Sequence, residues 1–129
     1  MQCTFAELTA WATPNSQRLI DEFGVVPSEE PEDVVKAEDI AYYLDCMTPA
    51  VRAFCADHGL VLHEDRIEFD PSKFDAIRVL TQGLAEEYEN GGDTLWIEYD
   101  LCGDDDVDYC GGYIDCAMEV LEAYAKDNA

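Results

Sequence analysis

The chain has few basic residues. Only 7 of its 129 residues are Lys or Arg, against 30 Asp and Glu, and the formal net charge is −23. No Lys or Arg occurs between Arg78 and Lys126, a window that holds 13 Asp and Glu. Such a surface repels nucleic acid and anionic membranes, and its self-repulsion destabilises the folded state. The charge therefore argues against direct binding to nucleic acid or a membrane and favours a basic protein partner.

Long apolar runs are also missing. No segment approaches the roughly 18–20 apolar residues of a membrane span. Residues 1–14 lack the basic start and apolar core of a signal peptide. We therefore expect a cytoplasmic protein, in which reduced thiols are the default and cysteines pack as small apolar side chains. The cysteines expected to be free are Cys3, Cys46, Cys55, Cys102, Cys110 and Cys116.

Motifs that carry catalysis or hold a cofactor are absent from the sequence. There is no GxSxG, no Gly-rich phosphate loop and no HExxH. His58 and His63 are the only histidines, and with Cys55 they would form a metal site only at an unusually loose spacing. We therefore predict no catalytic residues, no metal ligands, no cofactor and no enzymatic activity.

The stretch "DDDVDYCGGYID" partly resembles a calcium-binding loop. Asp104, Asp106 and Asp108 match the first, third and fifth positions of an EF-hand loop. Tyr109 stands where that loop requires glycine, and the last ligand would be Asp115 in place of the bidentate Glu. The sequence does not predict an EF-hand.

The residues that are present are sufficient for a hydrophobic core. The chain is 48% hydrophobic and 11% aromatic, which is typical of a folded domain and not of an acidic disordered tail. A length of 129 residues suits one domain that needs no metal or disulfide. We predict a single acidic domain over residues 1–129. Its fold is expected to be mainly α with one small β-hairpin, and an α+β fold is the alternative.

Local signals place the first elements. Residues 4–24 predict two short helices that are interrupted at Pro14. A third helix is predicted over 31–47, since Pro31 and several acids stand at its start. The next helix has Thr48 as its N-cap and Pro49 in its first turn, and Gly59 follows its end.

The second half of the chain has further signals. Alternation over 60–69 predicts a hairpin, and Asp70-Pro71 opens a long helix that Gly91-Gly92 ends. Residues 95–101 alternate like a strand, although helical neighbours favour a helix. We predict a turn over 103–108 and a final amphipathic helix over 113–126.

The acids of the second half are interpreted as a binding surface. DNA-handling proteins hold phosphates with fixed Arg and Lys arrays, which can equally receive carboxylates. A helix over Pro71–Glu89 would be about 28 Å long, a length that in duplex DNA carries about 16 phosphate charges. One helix cannot supply that number, so several helices or two protomers are expected to share the surface. The acids predicted to contact the partner are Asp70, Asp75, Glu86, Glu87, Glu89, Asp93, Glu98, Asp100, Asp104, Asp105, Asp106, Asp108, Asp115 and Glu119.

A resemblance to a known family covers about residues 42–101. The stretch "HGLVLHEDRIEFDPSKFDAIRVLTQGLAEEYENGGDTLWIEYDL" has a helix end at Gly59, an acidic connector, Pro71, "DAIRVL" in a long helix and an acidic segment with Trp96. In this order of features it resembles the Ocr-like phage antirestriction proteins, which mimic B-form DNA. The resemblance implies an all-helical homodimer that occupies the DNA groove of type I restriction–modification enzymes without cofactor or catalysis. The matching acids are Asp70, Asp75, Glu86, Glu87, Glu89, Glu98 and Asp100.

The chain also departs from that family. The N-terminal part, the cysteines and "CGDDDVDYCGGY" have no counterpart, and "AYAKDNA" replaces a very acidic tail. The alternatives for the target are therefore another restriction system, a CRISPR effector and a host DNA-binding protein. The leading hypothesis is a non-enzymatic, phage-type DNA mimic that acts in the host cytoplasm. The alternatives are an acidic immunity or adaptor protein that caps a basic toxin or nuclease, and a salt-adapted acidic domain.

Overall fold

The computed structural model describes residues 1–23, 47–101 and 104–128, and within the helices it leaves the side chains of a few residues undescribed, among them Asp104, Asp105, Asp106 and Asp108. The described elements form a mainly helical fold with a small antiparallel sheet, which confirms the predicted fold class. In chain order they are β1 (Gln2–Thr4), α1 (Phe5–Ala12), α2 (Ser16–Phe23), α3 (Pro49–Asp57), β2 (Leu60–Leu62), β3 (Arg66–Phe69), a 3-10 turn (Pro71–Lys73), α4 (Asp75–Asn90), α5 (Thr94–Glu98) and α6 (Asp104–Asp127).

The N-terminal segment begins as a strand and continues as two short helices. Thr4 and Glu7 form a capping box at the start of α1, since each side chain accepts a hydrogen bond from the other residue's backbone N–H. The helix α1 ends before Pro14, and α2 follows, so the predicted pair of helices is confirmed. The helix predicted over 31–47 lies almost entirely outside the described residues.

The helix α3 and the strand β2 meet at a glycine. Thr48 caps α3 and Pro49 stands in its first turn, as predicted. Gly59 has a φ of 85°, and a Cβ there would lie 2.9 Å from the Asp70 carbonyl oxygen. Glycine is therefore required at this position by both the backbone conformation and the close approach of the neighbouring chain.

The predicted hairpin is present and carries a third strand. The sheet order is β1-β3-β2, both pairs are antiparallel, and Ile67 of β3 lies opposite Cys3 on one side and Leu62 on the other. The strand β1 was not predicted from the sequence. A hydrogen bond from the Met1 ammonium to the Phe69 carbonyl extends this pairing.

The long helix is shorter than predicted. Pro71–Lys73 forms a 3-10 turn, and α4 begins at Asp75 and runs for 16 residues, about 24 Å. Gly91, in the left-handed conformation with a φ of 72°, ends α4 and donates its N–H to the Glu87 carbonyl.

The prediction of a turn over 103–108 is wrong in its described part, because α6 already begins at Asp104. Acidic residues in the first turn of a helix interact favourably with the helix dipole, which explains why a run of Asp is helical here. Residues 94–98, for which both strand and helix were considered, form the short helix α5.

The core lies between α4, α6 and the sheet. Its hydrophobic members from α4 are Ile77, Leu80 and Leu84, which are all buried. The inward face of α6 is also buried and includes Ile114, Ala117, Met118, Leu121 and Tyr124. Among the described cysteines, Cys3, Cys55 and Cys116 are free thiols. Within the described ranges, no helix is long and apolar enough to cross a membrane.

Candidate partner-binding surface and the groove beside it

The end of α4, the following turn and α5 carry a run of carboxylates without cations. We call residues 86–100 the acidic segment. Within the part of the chain that the structure describes, none of its carboxylates forms an ion pair. Its solvent-exposed acids are Glu86, Glu89, Asp93, Glu98 and Asp100. An array of this kind presents uncompensated negative charge to a partner.

Acids elsewhere do have cationic neighbours. Arg66 of β3 lies 3.1 Å from Asp65 and 3.6 Å from Glu68, and Arg18 of α2 lies 2.8 Å from Asp127 at the end of α6. These guanidinium groups lie at the sheet and at the junction of α2 with α6. The acids of the acidic segment differ from these because no Lys, Arg or His of the described residues forms an ion pair with them.

Backbone geometry fixes the shape of the acidic segment. Gly91 and Gly92 both donate their N–H groups to the Glu87 carbonyl, which ends α4 and turns the chain towards α5. Asp100, with a φ of 57°, ends α5 and donates its N–H to the Ile97 carbonyl. Asp and Asn tolerate this left-handed conformation better than most residues. The acids are thus held on the end of the long helix α4, on the short helix α5 and on the hydrogen-bonded turn that joins them.

One acid of the segment has a structural role. The Glu87 carboxylate accepts a hydrogen bond of 2.8 Å from the backbone N–H of Leu95, in the first turn of α5. Such a bond satisfies a backbone donor that has no partner inside its own helix. Glu87 therefore joins α4 to α5, and the carboxylate is less available to a partner than those of its neighbours.

Apolar and aromatic side chains lie among these acids. The Ile97 side chain is 72% exposed on α5, and Tyr88 of α4 is 40% exposed. The rings of Tyr88 and Trp96 lie 6.2 Å apart and tilted by 33°. The aromatic contact helps to hold α5 against α4, and it leaves one face of Tyr88 near the acids.

A second feature lies between α4 and α6, where one guanidinium faces several carboxylates. Arg78 of α4 forms an ion pair with Glu122 of α6 and lies 3.5 Å from Asp75 in its own helix. The hydrogen bond from Arg78 to Glu122 is the main cause of the raised pKa of Arg78. Asp115 and Glu119 are close enough to interact with the same guanidinium. Four carboxylates therefore surround one cation.

Asp115 is the half-buried member of this group. Burial raises the pKa of the Asp115 carboxyl above its ordinary value, while the hydrogen bond from Thr81 and the charge of Arg78 act in the opposite direction. The hydroxyl of Thr81, which is 3% exposed, lies 2.8 Å from Asp115 Oδ1 and 3.0 Å from the Arg78 carbonyl oxygen. Burial also raises the pKa of Glu119. These two acids are partly desolvated, unlike those of the acidic segment.

A groove of about 310 Å³ opens beside this pair, and we call it the α4–α6 groove. Its lining residues include Thr81, Tyr88 and Glu89 of α4 and Gly111, Gly112 and Asp115 of α6. A neighbouring cleft of about 240 Å³, lined in part by Arg78, Gln82 and Glu119, shares Thr81 and Asp115 with it. The groove thus runs from the acidic segment at Glu89 to the carboxylates around Arg78.

Protein-family models, curated proteins and solved structures give no match to this chain. The resemblance to the Ocr-like family therefore depends on the residues quoted above. The proposed function therefore depends on the geometry of the chain's own residues.

The structure places the predicted contact acids in several environments. Asp70 caps the 3-10 turn and accepts hydrogen bonds from the Ser72 backbone N–H (3.2 Å) and hydroxyl (2.6 Å), and the hydroxyl bond is the main reason that its pKa is lowered. Asp75 is almost fully exposed beside Arg78. Asp115 and Glu119 line the clefts between α4 and α6. The acids predicted in the turn are Asp104, Asp105, Asp106 and Asp108. Their backbone forms the start of α6, and the structure does not describe their side chains.

The residues considered for a metal site have separate environments. Cys55 is buried in α3, and burial raises its pKa to about 12. The His58 ring packs on Phe54 with 4.4 Å between centroids, and His63 Nε2 lies 2.9 Å from Glu68. Among the described residues, no group of three or more His, Cys, Asp or Glu is arranged to hold a metal ion.

Three residues that line the groove, Thr81, Gly111 and Gly112, were not predicted from the sequence as functional residues. The Gly111-Gly112 pair lies before the predicted helix over 113–126, but the structure places it inside α6, where glycine usually has a packing or functional reason. A Cβ on Gly111 would lie 3.9 Å from the Thr81 carbonyl oxygen, so the two helices are close at this point.

Proposed function

We propose that this protein is a non-enzymatic, phage-type inhibitor that presents carboxylates in place of DNA phosphates. It blocks the basic DNA-binding groove of a host defence protein, either a restriction–modification enzyme or a CRISPR effector. The observation that carries the proposal is the acidic segment, whose exposed carboxylates have no ion-pair partner among the described residues. The formal charge of −23 extends the same field over the whole chain.

The chemistry of the target explains why such an array binds. Arg and Lys arrays in DNA-binding grooves are placed to receive phosphate oxygens, and carboxylates accept the same charge-assisted hydrogen bonds. A folded acidic protein loses little conformational entropy on binding, and long-range attraction accelerates its encounter with a basic groove. Binding of this kind needs no catalytic residue and no cofactor.

The dimensions favour a surface shared by several elements. The helix α4 is about 24 Å long, a length over which duplex DNA carries about 14 phosphate charges. The acids on α4 itself are only Asp75, Glu86, Glu87 and Glu89. The remaining charge comes from α5, from the acidic start of α6 and from a second protomer in a homodimer.

The test is competition between this protein and DNA for a DNA-binding defence protein. A fluorescent duplex bound to a type I restriction enzyme or a CRISPR effector is titrated with the protein, and DNA release is followed by anisotropy. Direct binding of the protein to the defence protein, measured without DNA, is expected to weaken steeply as the salt concentration rises, because exposed charges are screened beyond about 8 Å at 0.15 M salt. Absence of competition with DNA, or direct binding that is insensitive to salt, would contradict the proposal.

Charge-reversal variants locate the surface. The triple variant Glu86→Lys, Glu89→Lys, Glu98→Lys is expected to weaken competition by about tenfold or more, at about 0.5 kcal/mol for each exposed pair lost. The matched control reverses the same number of charges at exposed acids outside the segment, Asp21, Asp57 and Glu64. Equal losses in both triples would show that net charge alone acts, as expected for a salt-adapted domain.

Single reversals separate this proposal from the immunity-type alternative. A distributed surface should lose little when only one acid is reversed. Loss of all binding from one reversal, or binding to one basic nuclease and to no defence protein, would instead favour a protein that caps a single toxin.

A further inference from the structure

We infer that the α4–α6 groove receives an arginine side chain of the basic partner, which makes it a specific anchor point within an otherwise diffuse electrostatic surface. This inference rests on the proposed function and identifies the residue type that the partner inserts. It depends on the space in the groove, on the carboxylates at its two ends and on the aromatic ring in its wall.

The space is provided by the glycine pair of α6. A Cβ built on Gly112 meets no atom of the described residues within 4 Å, so the described part of the groove is open above this residue. Gly111 is buried against α4 and lets the helix backbones approach, while Gly112 is exposed to the groove. A long, narrow side chain can therefore lie along the groove without displacing any described atom.

The charge inside the groove requires a cation. Asp115 accepts one hydrogen bond, at Oδ1 from Thr81, and no described donor reaches Oδ2. The nearest cation, Arg78, is already bonded to Glu122 of α6. Glu89 stands at the other end of the groove and has no ion pair in the described part of the chain. A second guanidinium would therefore compensate Glu89, which has no ion pair among the described residues, and Asp115, which shares Arg78 with three other carboxylates.

The shape of the groove favours arginine over lysine. A guanidinium offers planar, forked donors that match a carboxylate, whereas an ammonium is a compact point charge that holds its water more strongly. The Tyr88 ring lines the groove, and arginine stacks on aromatic rings. Ala85 and Val107 supply apolar contacts for the aliphatic part of the side chain. An anchor of this kind resembles the buried arginine residues that dominate many protein interfaces.

The test uses the whole ¹⁵N-labelled protein and two blocked tripeptides, acetyl-Gly-Arg-Gly-amide and acetyl-Gly-Lys-Gly-amide. Titration with the arginine peptide should move the Gly111 and Gly112 amide resonances saturably, and the lysine peptide should bind at least several-fold more weakly. Asp115→Asn, which keeps a group able to bond Thr81 and removes the charge, should raise the dissociation constant of the arginine peptide about tenfold.

The second variant is designed to fill the groove. Gly112→Leu places a side chain in the open space and should abolish the saturable shifts, while helix content measured by circular dichroism stays unchanged. The matched control, Ala56→Leu, places the same leucine side chain on an exposed position of α3 and should bind the arginine peptide as the unchanged protein does.

The outcomes separate this inference from the proposed function. Peptide-induced shifts confined to the acidic segment, with Gly111 and Gly112 unmoved, would overturn the anchor and leave DNA competition intact. Equal affinity for the lysine peptide would overturn the choice of arginine. Binding that survives both Asp115→Asn and Gly112→Leu would also overturn the inference. Saturable binding in the groove without any DNA competition would support the site and refute the proposed function.

Discussion

The hydroxyl of Thr81 offers a direct measurement of the coupling between α4 and α6. It lies in the core, 2.8 Å from Asp115 Oδ1 and 3.0 Å from the Arg78 carbonyl oxygen. A hydroxyl has one proton to donate. When Asp115 is ionised, Thr81 can satisfy only one of the two acceptors at a time. When Asp115 is protonated, it can donate to Thr81 while Thr81 donates to the carbonyl.

We predict that Thr81→Val lowers the free energy of unfolding by about 1.5 kcal/mol at pH 7. Valine keeps the shape of threonine and removes the hydroxyl. Hydrogen bonds to charged groups stabilise proteins by about 1.5–3 kcal/mol net, and the lower end applies because Asp115 is only half-buried. With a urea dependence of about 2 kcal/mol/M, the unfolding midpoint should fall by about 0.7 M.

The cost of Thr81→Val should depend on pH. Burial raises the pKa of Asp115 above its ordinary value of 3.8, and the Thr81 hydrogen bond lowers it in part. Removal of the hydroxyl therefore raises the pKa of Asp115 further in the folded state and leaves the unfolded chain unchanged. The loss of stability is then greatest above the raised pKa and decreases as pH falls through that pKa towards 3.8.

The assay is urea unfolding of both proteins at several pH values between 3.5 and 7, followed by far-UV circular dichroism. Thr9→Val in α1 is the control, because the Thr9 hydroxyl donates to the Phe5 carbonyl of its own helix and not to a carboxylate. Its effect should stay within about 0.5 kcal/mol. A cost for Thr81→Val below this level at pH 7, or a cost that does not change with pH, would refute the reasoning.

Two further pairs of variants, one at glycines of positive φ and one at the cap of α3, are measured by the same unfolding assay. Gly59→Ala should cost about 2–3 kcal/mol, since its φ is positive and the new Cβ would meet the Asp70 carbonyl oxygen at 2.9 Å. Gly91→Ala has a similar φ with no atom within 4 Å, so it should cost about 1 kcal/mol. Thr48→Ala should cost about 1–2 kcal/mol, because the side chain caps α3 and its hydroxyl donates to the Tyr99 carbonyl at 2.6 Å, whereas Thr48→Ser should retain most of both bonds. Equal costs for the two glycines, or for the two Thr48 variants, would contradict these explanations.

Much of the fold was predictable because its signals are local. The N-cap Thr48, the first-turn Pro49 and the terminal Gly59 lie within a dozen residues of one another and define α3 without reference to the rest of the chain. The alternation over 60–69 likewise predicts the hairpin. Even the start of α1 had a local signal, the Thr4–Glu7 capping box.

The missed features depend on tertiary contacts. The strand β1 exists because β3 offers it a partner, and three residues of sequence cannot reveal that pairing. The alternation of residues 95–101 fits a strand, yet the segment 94–98 is helical and packs Leu95 against Gly83 of α4. The groove could not be predicted for the same reason, since Asp115 and Thr81 are 34 residues apart and meet only after α4 and α6 pack.

The central position of β3 has a consequence for the order of assembly. Only residues 63–65 connect β2 to β3, so the pairing of these two strands closes a short loop. The pairing of β1 with β3 closes a much longer one, since Met1 and Phe69 are 68 residues apart. The entropy lost on closing a loop increases with its length. The hairpin can therefore form as soon as its own residues are available, and β1 is added afterwards. We therefore expect β1 to be the last of the three strands to join the sheet.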